Sequence, residues 1–483
     1  MNQEIRSYRC WWFLTGLLLI ALHVGIVFIS FQLGYDSDNA ISPIPVFVAL
    51  FMAAAAIHLI SLTRLHRTRV KKPLVAWVIM VGVVLRVSVL FSEPILEDDF
   101  YRYLWDGGVV AHGYGPYVIV PEQVMEGGDH VPEALRELGR DAGTVLQRVN
   151  HPHLATCYPP VAQALFAAAH LAGPWRLTAW RLLLFIFDTA TLALLFAFLR
   201  LLGKSPLYVV VYWWCPLVVK EGFNAAHMDI ALLPLVLGAL WLSLRSRSAG
   251  GHVAAAVVLG LAAGVKLWPV ILAPLLFRPL LRRPRMLVCA VTAFGGTLLL
   301  ILLAMLPAYT LGDASGLVAY GQGWEMNDAL FMSILWGIRL FPWLAEQGPL
   351  LARAIVASLL GAVILVAVWR EQQAPEAWCR RALWIVAALF LLSPTQFPWY
   401  YLWVTPFLVF TPRPSLLLLT ALLPLYYLRF RFNAFDRAAV FDYGIVWLEF
   451  IPVWTLLLME GLVSFKHRHE ARQKEPLCEK RIP

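Results

Sequence analysis

The densest group of residues able to do chemistry is Glu97-Asp98-Asp99-Phe100-Tyr101-Arg102-Tyr103-Leu104-Trp105-Asp106-Gly107. A carboxylate within about 3 Å of a hydroxyl can take its proton as the oxygen attacks. Acids at the end of a membrane span also occur as solvated loop residues; here their adjacency and the aromatic-rich helix that follows favour the first reading. Lys266 joins two short apolar runs, where an ammonium is costly unless it faces water, a carboxylate or a phosphate, a snorkelling structural Lys being the alternative. Lys220 and Glu221 are neighbours at another tip and could pair with each other or hold substrate. His227 and Asp229 follow in the same loop; His is readily tuned for proton transfer near neutrality, although a lone His is more often structural. Trp399, Tyr400, Tyr401 and Trp403 fit an interfacial aromatic belt. His151-Pro152-His153 with Asp98 and Asp99 raises a divalent cation, Mg²⁺ or Mn²⁺, but matches no compact metal motif.

The elements that position these residues must lie in a membrane. Of 483 residues, 60% are hydrophobic and 14% charged, against about 45–50% and 25% in soluble domains, which excludes a soluble enzyme. The net charge of +9, from 39 Lys+Arg and 30 Asp+Glu, would alone invite a nucleic-acid partner. Its distribution speaks against one: residues 92–180 hold 11 acids and 5 bases, net −6, which leaves +15 on the rest.

A membrane-spanning helix needs roughly 20 mainly apolar residues. Trp11–Phe31 has that length and no small-residue cleavage site after it, so it reads as a retained anchor. Basic loops at Thr63–Lys72 and Arg278–Arg285 and the tail from Lys466 fix the cytoplasmic side. Trp11–Phe31 then runs outward, Ile44–Leu62 inward and Pro73–Phe91 outward, with 25 of the 39 bases and both termini inside. Later spans fall at roughly 181–202, 206–220, 228–244, 252–266, 267–281, 286–307, 349–369, 382–397, 399–411, 415–429 and 443–464. Tyr158–Gly173 would invert all of them if it crossed, and is laid on the outer surface as an interfacial or re-entrant helix. The runs 252–266, 267–281 and 399–411 are too short to cross a ~30 Å core straight; short, Pro-punctuated helices with polar tips line cavities. Arg181 and Asp188 share a helix face, with Arg86 at similar depth, and should neutralise one another. Six cysteines without paired spacing give no disulfide framework. The expected fold is an all-α polytopic membrane protein of about 12–14 transmembrane helices with a large first outer loop containing juxtamembrane helices. Its parts are 1–91 (N-terminal helices), 92–180 (outer loop, with a helix at Pro132–Val149), 181–464 (helical bundle) and 465–483 (basic cytoplasmic tail).

In chain order, Asp98-Asp99-Phe-Tyr-Arg-Tyr-Leu-Trp-Asp-Gly, His112-Gly-Tyr-Gly-Pro-Tyr117, Asn150-His151-Pro152, Tyr158-Pro159-Pro160, Asn224-Ala-Ala-His227-Met-Asp229, Gly264-Val-Lys266-Leu-Trp-Pro269 and Ser393-Pro394-Thr-Gln-Phe-Pro398-Trp399-Tyr400 resemble motifs of the GT-C glycosyltransferases. The similarity is greatest to bacterial polyprenyl-phosphate-mannose-dependent mannosyltransferases of the family-87 kind and covers about residues 90–411. Each motif is weak alone; their order and spacing together are specific. The resemblance implies a GT-C-type bundle that transfers a hexose, mannose by the nearest likeness, from a polyprenyl-phosphate donor to a lipid or glycan acceptor. Transfer inverts the anomeric centre and takes place on the outer face of the cytoplasmic membrane. The family's acid-x-x-Arg-Tyr pattern falls on Asp99, Arg102 and Tyr103. This places the base at Asp99 with Asp98 as neighbour or substitute, and gives Arg102 and Tyr103 to substrate binding together with His227, Lys266, Lys220, Glu221, Trp399 and Tyr400. Many members carry a His before Pro-Trp-Tyr, where this chain has Gln396-Phe397.

The leaving phosphate would need cationic or N–H partners, a task that Lys266 could meet. Arg429, Arg431 and Arg437 could also attract it, or could be a solvated loop. Sugar rings stack on aromatics such as Trp399 and Tyr400. No phosphate-cradling Gly-rich loop or nucleotide fingerprint is present, so a soluble nucleotide sugar is not the expected donor. The alternative is a transporter or flippase of lipid-linked sugars or other solutes. Such a protein would show repeated halves and midplane charges, whereas the polar residues here gather at one face.

Overall fold

The computed structural model describes residues 2–37, 40–128, 131–369 and 374–474, so Asp129, Arg370 and Cys478 lie outside the described residues. Among the described residues the chain is helical, and two single-residue bridges are the only strand-like pairings. Three apolar helices come first: α1 (Asn2–Ser30), α2 (Ile44–Leu62) and α3 (Lys72–Val89). Pro45 and Pro73 lie in the first turns of α2 and α3, where a missing N–H costs nothing. The acidic stretch contributes α4 (Asp99–Ala111) and α5 (Pro160–Ala172). Between them the helix expected over Pro132–Val149 is broken into Glu133–Ala142 and Thr144–Gln147, because Gly143 turns the chain with φ +52°. The remaining long elements are α6 (Leu177–Leu201), α7 (Asp229–Arg245), α8 (Ala249–Val265), α9 (Pro284–Tyr309), α10 (Gly348–Trp369), α11 (Pro375–Leu392) and α12 (Val446–Lys474).

Among the described residues, eight helical runs are long and apolar enough to cross a membrane, or nine if Pro216–Asn224 and α7, bent by 118°, form one broken span. This is fewer than the 12–14 expected from apolar runs. The difference lies where proline interrupts the hydrogen-bond ladder every few residues. The runs 206–220, 267–281 and 399–411 fold as short helices and 3₁₀ turns behind Pro206, Pro216, Pro269, Pro274, Pro398 and Pro406. Residues Tyr158–Gly173 do not span either: α5 has 13 residues and lies against α4.

The outer surface is apolar. On α9, Leu299, Leu300, Leu303 and Leu306 are exposed, while Trp12, Tyr212, Trp213 and Trp214 are buried inside. Water would oppose that surface and a bilayer accepts it. Charges inside are compensated, though not as the helix spacing suggested. Asp188 pairs with Arg86 at 2.5 Å and accepts from the Tyr212 hydroxyl, and the Arg86 guanidinium lies 3.6 Å from the Trp213 ring centroid. Arg181, two turns along α6 from Asp188, instead donates to the carbonyls of Leu90, Ser92 and Asn224. It therefore holds the loop between α3 and α4, from which the acidic pair starts.

Candidate active site

Position begins with α4. A Cβ at Gly107 would stand 2.4 Å from the Phe166 carbonyl oxygen, so α4 and α5 approach at backbone distance only because that residue has no side chain. From the next turn of α4 the buried Arg102 donates to the carbonyls of Asn150 (3.0 Å), His151 (2.8 Å) and Leu154 (3.2 Å). Those bonds fold the 150–154 loop back over the start of the helix. Asn150 Nδ2 then donates to both Asp98 Oδ1 (3.0 Å) and Asp99 Oδ1 (2.8 Å), and the Tyr103 hydroxyl reaches Asp99 Oδ2 at 3.5 Å.

A second clamp joins this loop to the break before α7. The Asn224 side chain accepts from the Ile95 N–H (3.0 Å) and donates to Ser92 Oγ and the Glu93 carbonyl (both 2.7 Å). Trp180 Nε1 donates to the Ala226 carbonyl at 2.8 Å. The non-glycine residues Leu96, His151 and Ala226 have φ of +56°, +47° and +59°. Each abuts a site residue, and a non-glycine residue in this conformation costs of order 1–3 kcal/mol, maintained by the surrounding structure.

The clamp at Asn224 brings His227 beside Asp99. Its Nδ1 lies 3.7 Å from Asp99 Oδ2 and its Nε2 3.7 Å from Glu221 Oε2. The ring is wholly buried, neither nitrogen has a hydrogen-bond partner among the described residues, and it stacks on Trp399 at 4.3 Å. Beyond it Glu221 and Lys220 are 3.3 Å apart, and the Tyr427 hydroxyl touches Lys220, Glu221 (2.8 Å) and Glu97 (3.1 Å). On the other side, Lys266 Nζ meets Asp229 at 2.9 Å and lies over the rings of Tyr400 (4.0 Å) and Trp403 (5.0 Å).

Two cavities meet at Asp99. One, of about 900 Å³, is lined by Asp98, Glu97, Glu325, Tyr426 and Arg429; the other, of about 200 Å³, by Tyr103, Lys266, Tyr320, Tyr400 and Trp403. Asp99, Asn150, His151, Trp324 and Trp399 line both. Burial, then the neighbouring Asp98 charge, push the Asp99 carboxyl up to about 6, against the opposing pull of the Asn150 N–H. Burial also raises Asp98. Asp99 thus combines a carboxyl raised toward neutrality with a place on the wall of two cavities, the setting a base requires.

Among the described residues, Asp98, Asp99, His151 and His153 do not bring three ligand atoms close enough together to share an ion. Among the described residues the acid and imidazole atoms close enough to share an ion belong to Glu97, Glu221 and His227. The Lys220 ammonium stands 3.3 Å from Glu221 and 4.0 Å from Glu97, and brings the positive charge itself.

Of the residues expected to bind substrate, Tyr103, Lys266, Trp399 and Tyr400 face a cavity. Trp399 and Tyr400 are buried in its wall, with Phe397 stacked on Trp399 at 4.2 Å, and form no lipid-facing belt. Arg102 reaches the edge of the smaller cavity with its guanidinium committed to carbonyls. Lys220, Glu221 and His227 lie behind the wall and line neither cavity. Gln396 donates to the carbonyls of Leu391 and Ser393 and shapes the turn before Trp399. Asn150, Trp324 and Tyr427 belong to the site without having been singled out for it, and Glu97 was named only as part of the acidic cluster. Asn150 stood in a visible motif, whereas nothing local to Tyr427 pointed to residues 206 and 330 positions away.

A multi-pass helical membrane protein with an acidic pair opening on two adjoining cavities has the layout of a membrane-embedded transferase. The model of glycosyltransferase family 87 matches residues 156–394, from just before α5 to just after α11 and so outside the Asp98-Asp99 pair. No curated protein and no solved structure matches. The chain is an integral membrane glycosyltransferase, and the match, which covers just under half of it, is consistent with a GT-C-like one.

Proposed function

We propose that this glycosyltransferase moves a hexose, mannose by resemblance, from a polyprenyl-phosphate donor to a hydroxyl of a lipid or glycan acceptor on the outer face of the cytoplasmic membrane. The observation that carries the reading is the position of Asp99, held by Asn150 where the two cavities meet. The acceptor occupies the larger cavity and the reacting end of the donor the smaller one. Asp99 takes the acceptor proton, the freed oxygen attacks the anomeric carbon from the far face, and the carbon–oxygen bond to phosphate breaks, inverting the centre. Lys266 has three N–H donors and uses one on Asp229, which leaves donors for the departing phosphate. Trp324, common to both cavities, offers a ring on which a sugar stacks, whereas both faces of Trp399 are covered by His227 and Phe397.

The test is incubation of the purified protein with a panel of polyprenyl-phosphate sugars and a separate panel of nucleotide sugars. Release of polyprenyl phosphate with one hexose is expected. Transfer from a nucleotide sugar, with none from any polyprenyl phosphate, contradicts the reading.

A further inference from the structure

His227 is the anomaly of the site. It touches neither cavity, yet Ala226 is held in a left-handed conformation immediately before it and a Trp399 face covers it. A buried imidazole without a hydrogen-bond partner is costly, by about 1–3 kcal/mol for an unsatisfied polar group. Its two nitrogens face two different carboxylates at equal distance, Asp99 on α4 and Glu221 in the break before α7. The titratable and charged groups around it are Asp99 from α4, Glu97 from the loop before it, Lys220 and Glu221 from the break, Asp229 from α7, Lys266 after α8, and Tyr427 behind Glu221.

Past Glu221 the path continues. The Tyr427 hydroxyl lies within hydrogen-bond distance of both Glu221 and Glu97, but a phenol has one hydrogen. The Lys220 ammonium also donates to the phenol oxygen, so both carboxyl contacts are filled when one of the two carboxyls is itself protonated and donates to the remaining lone pair. Burial also favours the protonated form of Glu97. Glu97 lines the larger cavity, so the path that leaves Asp99 through His227 returns to solvent-accessible space several residues away from the reacting hydroxyl.

We infer that His227 is a proton carrier that regenerates Asp99: the proton taken from the acceptor passes from Asp99 to His227 Nδ1 as the Nε2 proton moves to Glu221, and Glu97 gives its own proton to the larger cavity, takes the Tyr427 hydrogen, and leaves Tyr427 to take the proton from Glu221. The transfer conserves protons, since His227 gains one on Nδ1 and loses one on Nε2, and ring rotation or the reverse exchange resets its tautomer. His227, Glu221 and Tyr427 act through Asp99, without touching substrate. The inference rests on the reading of Asp99 as base.

The experiment measures kcat and both KM values across pH 5–9 for the full-length protein in detergent, with His227→Asn, His227→Ala, Glu221→Gln and Asp99→Asn, and with imidazole added at constant pH. His227→Asn and Glu221→Gln, which keep side-chain volume, should lose at least about tenfold in kcat, within the range that proton transfer contributes, with both KM values nearly unchanged. Imidazole should restore turnover in His227→Ala and leave the wild type and Asp99→Asn unaffected. Wild-type kcat in either volume-keeping variant, a loss confined to KM, or no recovery of His227→Ala with imidazole overturns the carrier role. Retained activity in Asp99→Asn overturns the base reading instead, so the two failures are distinct.

Discussion

The proposed base, Asp99, is a carboxylate whose surroundings pull it in opposite directions. Burial and Asp98 raise Asp99 to about 6, while the Asn150 N–H favours its charged form. A base with a raised value is ionised above it, so kcat/KM should climb tenfold per pH unit below about 6 and level off above it. A flat rate from pH 5 to 8 would contradict this. Asn150→Ala removes a donor to the ionised carboxylates and should move the midpoint upward, so that activity falls more at pH 6 than at pH 8. An unmoved midpoint would show that Asn150 does not act on the charge of Asp99. Part of the site's layout was legible: the resemblance to the acid-x-x-Arg-Tyr pattern points to Asp99, which the structure places at a cavity wall, and Lys266 stands out as a cation between two short apolar runs. The partner Asn150 lies 51 residues from Asp99, and no periodicity reports a hydrogen bond across such a loop.

At the scale of elements, the site depends on how closely helices approach. Gly107 lets α4 meet α5, with an added Cβ only 2.4 Å from the Phe166 carbonyl oxygen. Gly107→Ala should therefore separate the helices and lower stability by about 1–3 kcal/mol, the usual cost of overpacking. It should also reduce transfer, because Arg102 and the Asn150 loop ride on α4. Thermal unfolding in detergent measures it, and a wild-type midpoint would show that the contact relaxes without cost. Elements are also where apolar runs misled. Residues 267–281 and 399–411 are apolar enough to resemble spans, but their prolines break them into 3₁₀ turns and short helices that carry Trp268, Trp399, Tyr400 and Trp403 to the cavity. Hydropathy reports burial in something apolar, and here that is the protein itself.

Taken whole, the molecule concentrates its polar chemistry at one end of an apolar bundle. In the proposed orientation, with the basic loops on the cytoplasmic side, that end faces outward. A single cysteine at Glu137→Cys, in an otherwise cysteine-free protein, should react with a membrane-impermeant maleimide in intact cells, and one at Arg247→Cys should not. The opposite pattern would reverse the proposed orientation. Both positions are exposed, so access is decided by the side of the membrane alone. The charge of +9 falls into place at this scale, with an acidic segment of −6 around the site and +15 spread over the remainder.

The central claim, that Asp99 is the base of a polyprenyl-phosphate-dependent transfer, is tested most directly by single-turnover transfer with Asp99→Asn and Asp98→Asn in proteoliposomes. The account predicts that Asp99→Asn loses about a hundredfold to ten thousandfold in rate, the span of general-base catalysis, while still binding donor. Asp98→Asn should keep measurable transfer with an acidic limb moved to lower pH, because one neighbouring negative charge is gone. Full activity in both variants would contradict the account.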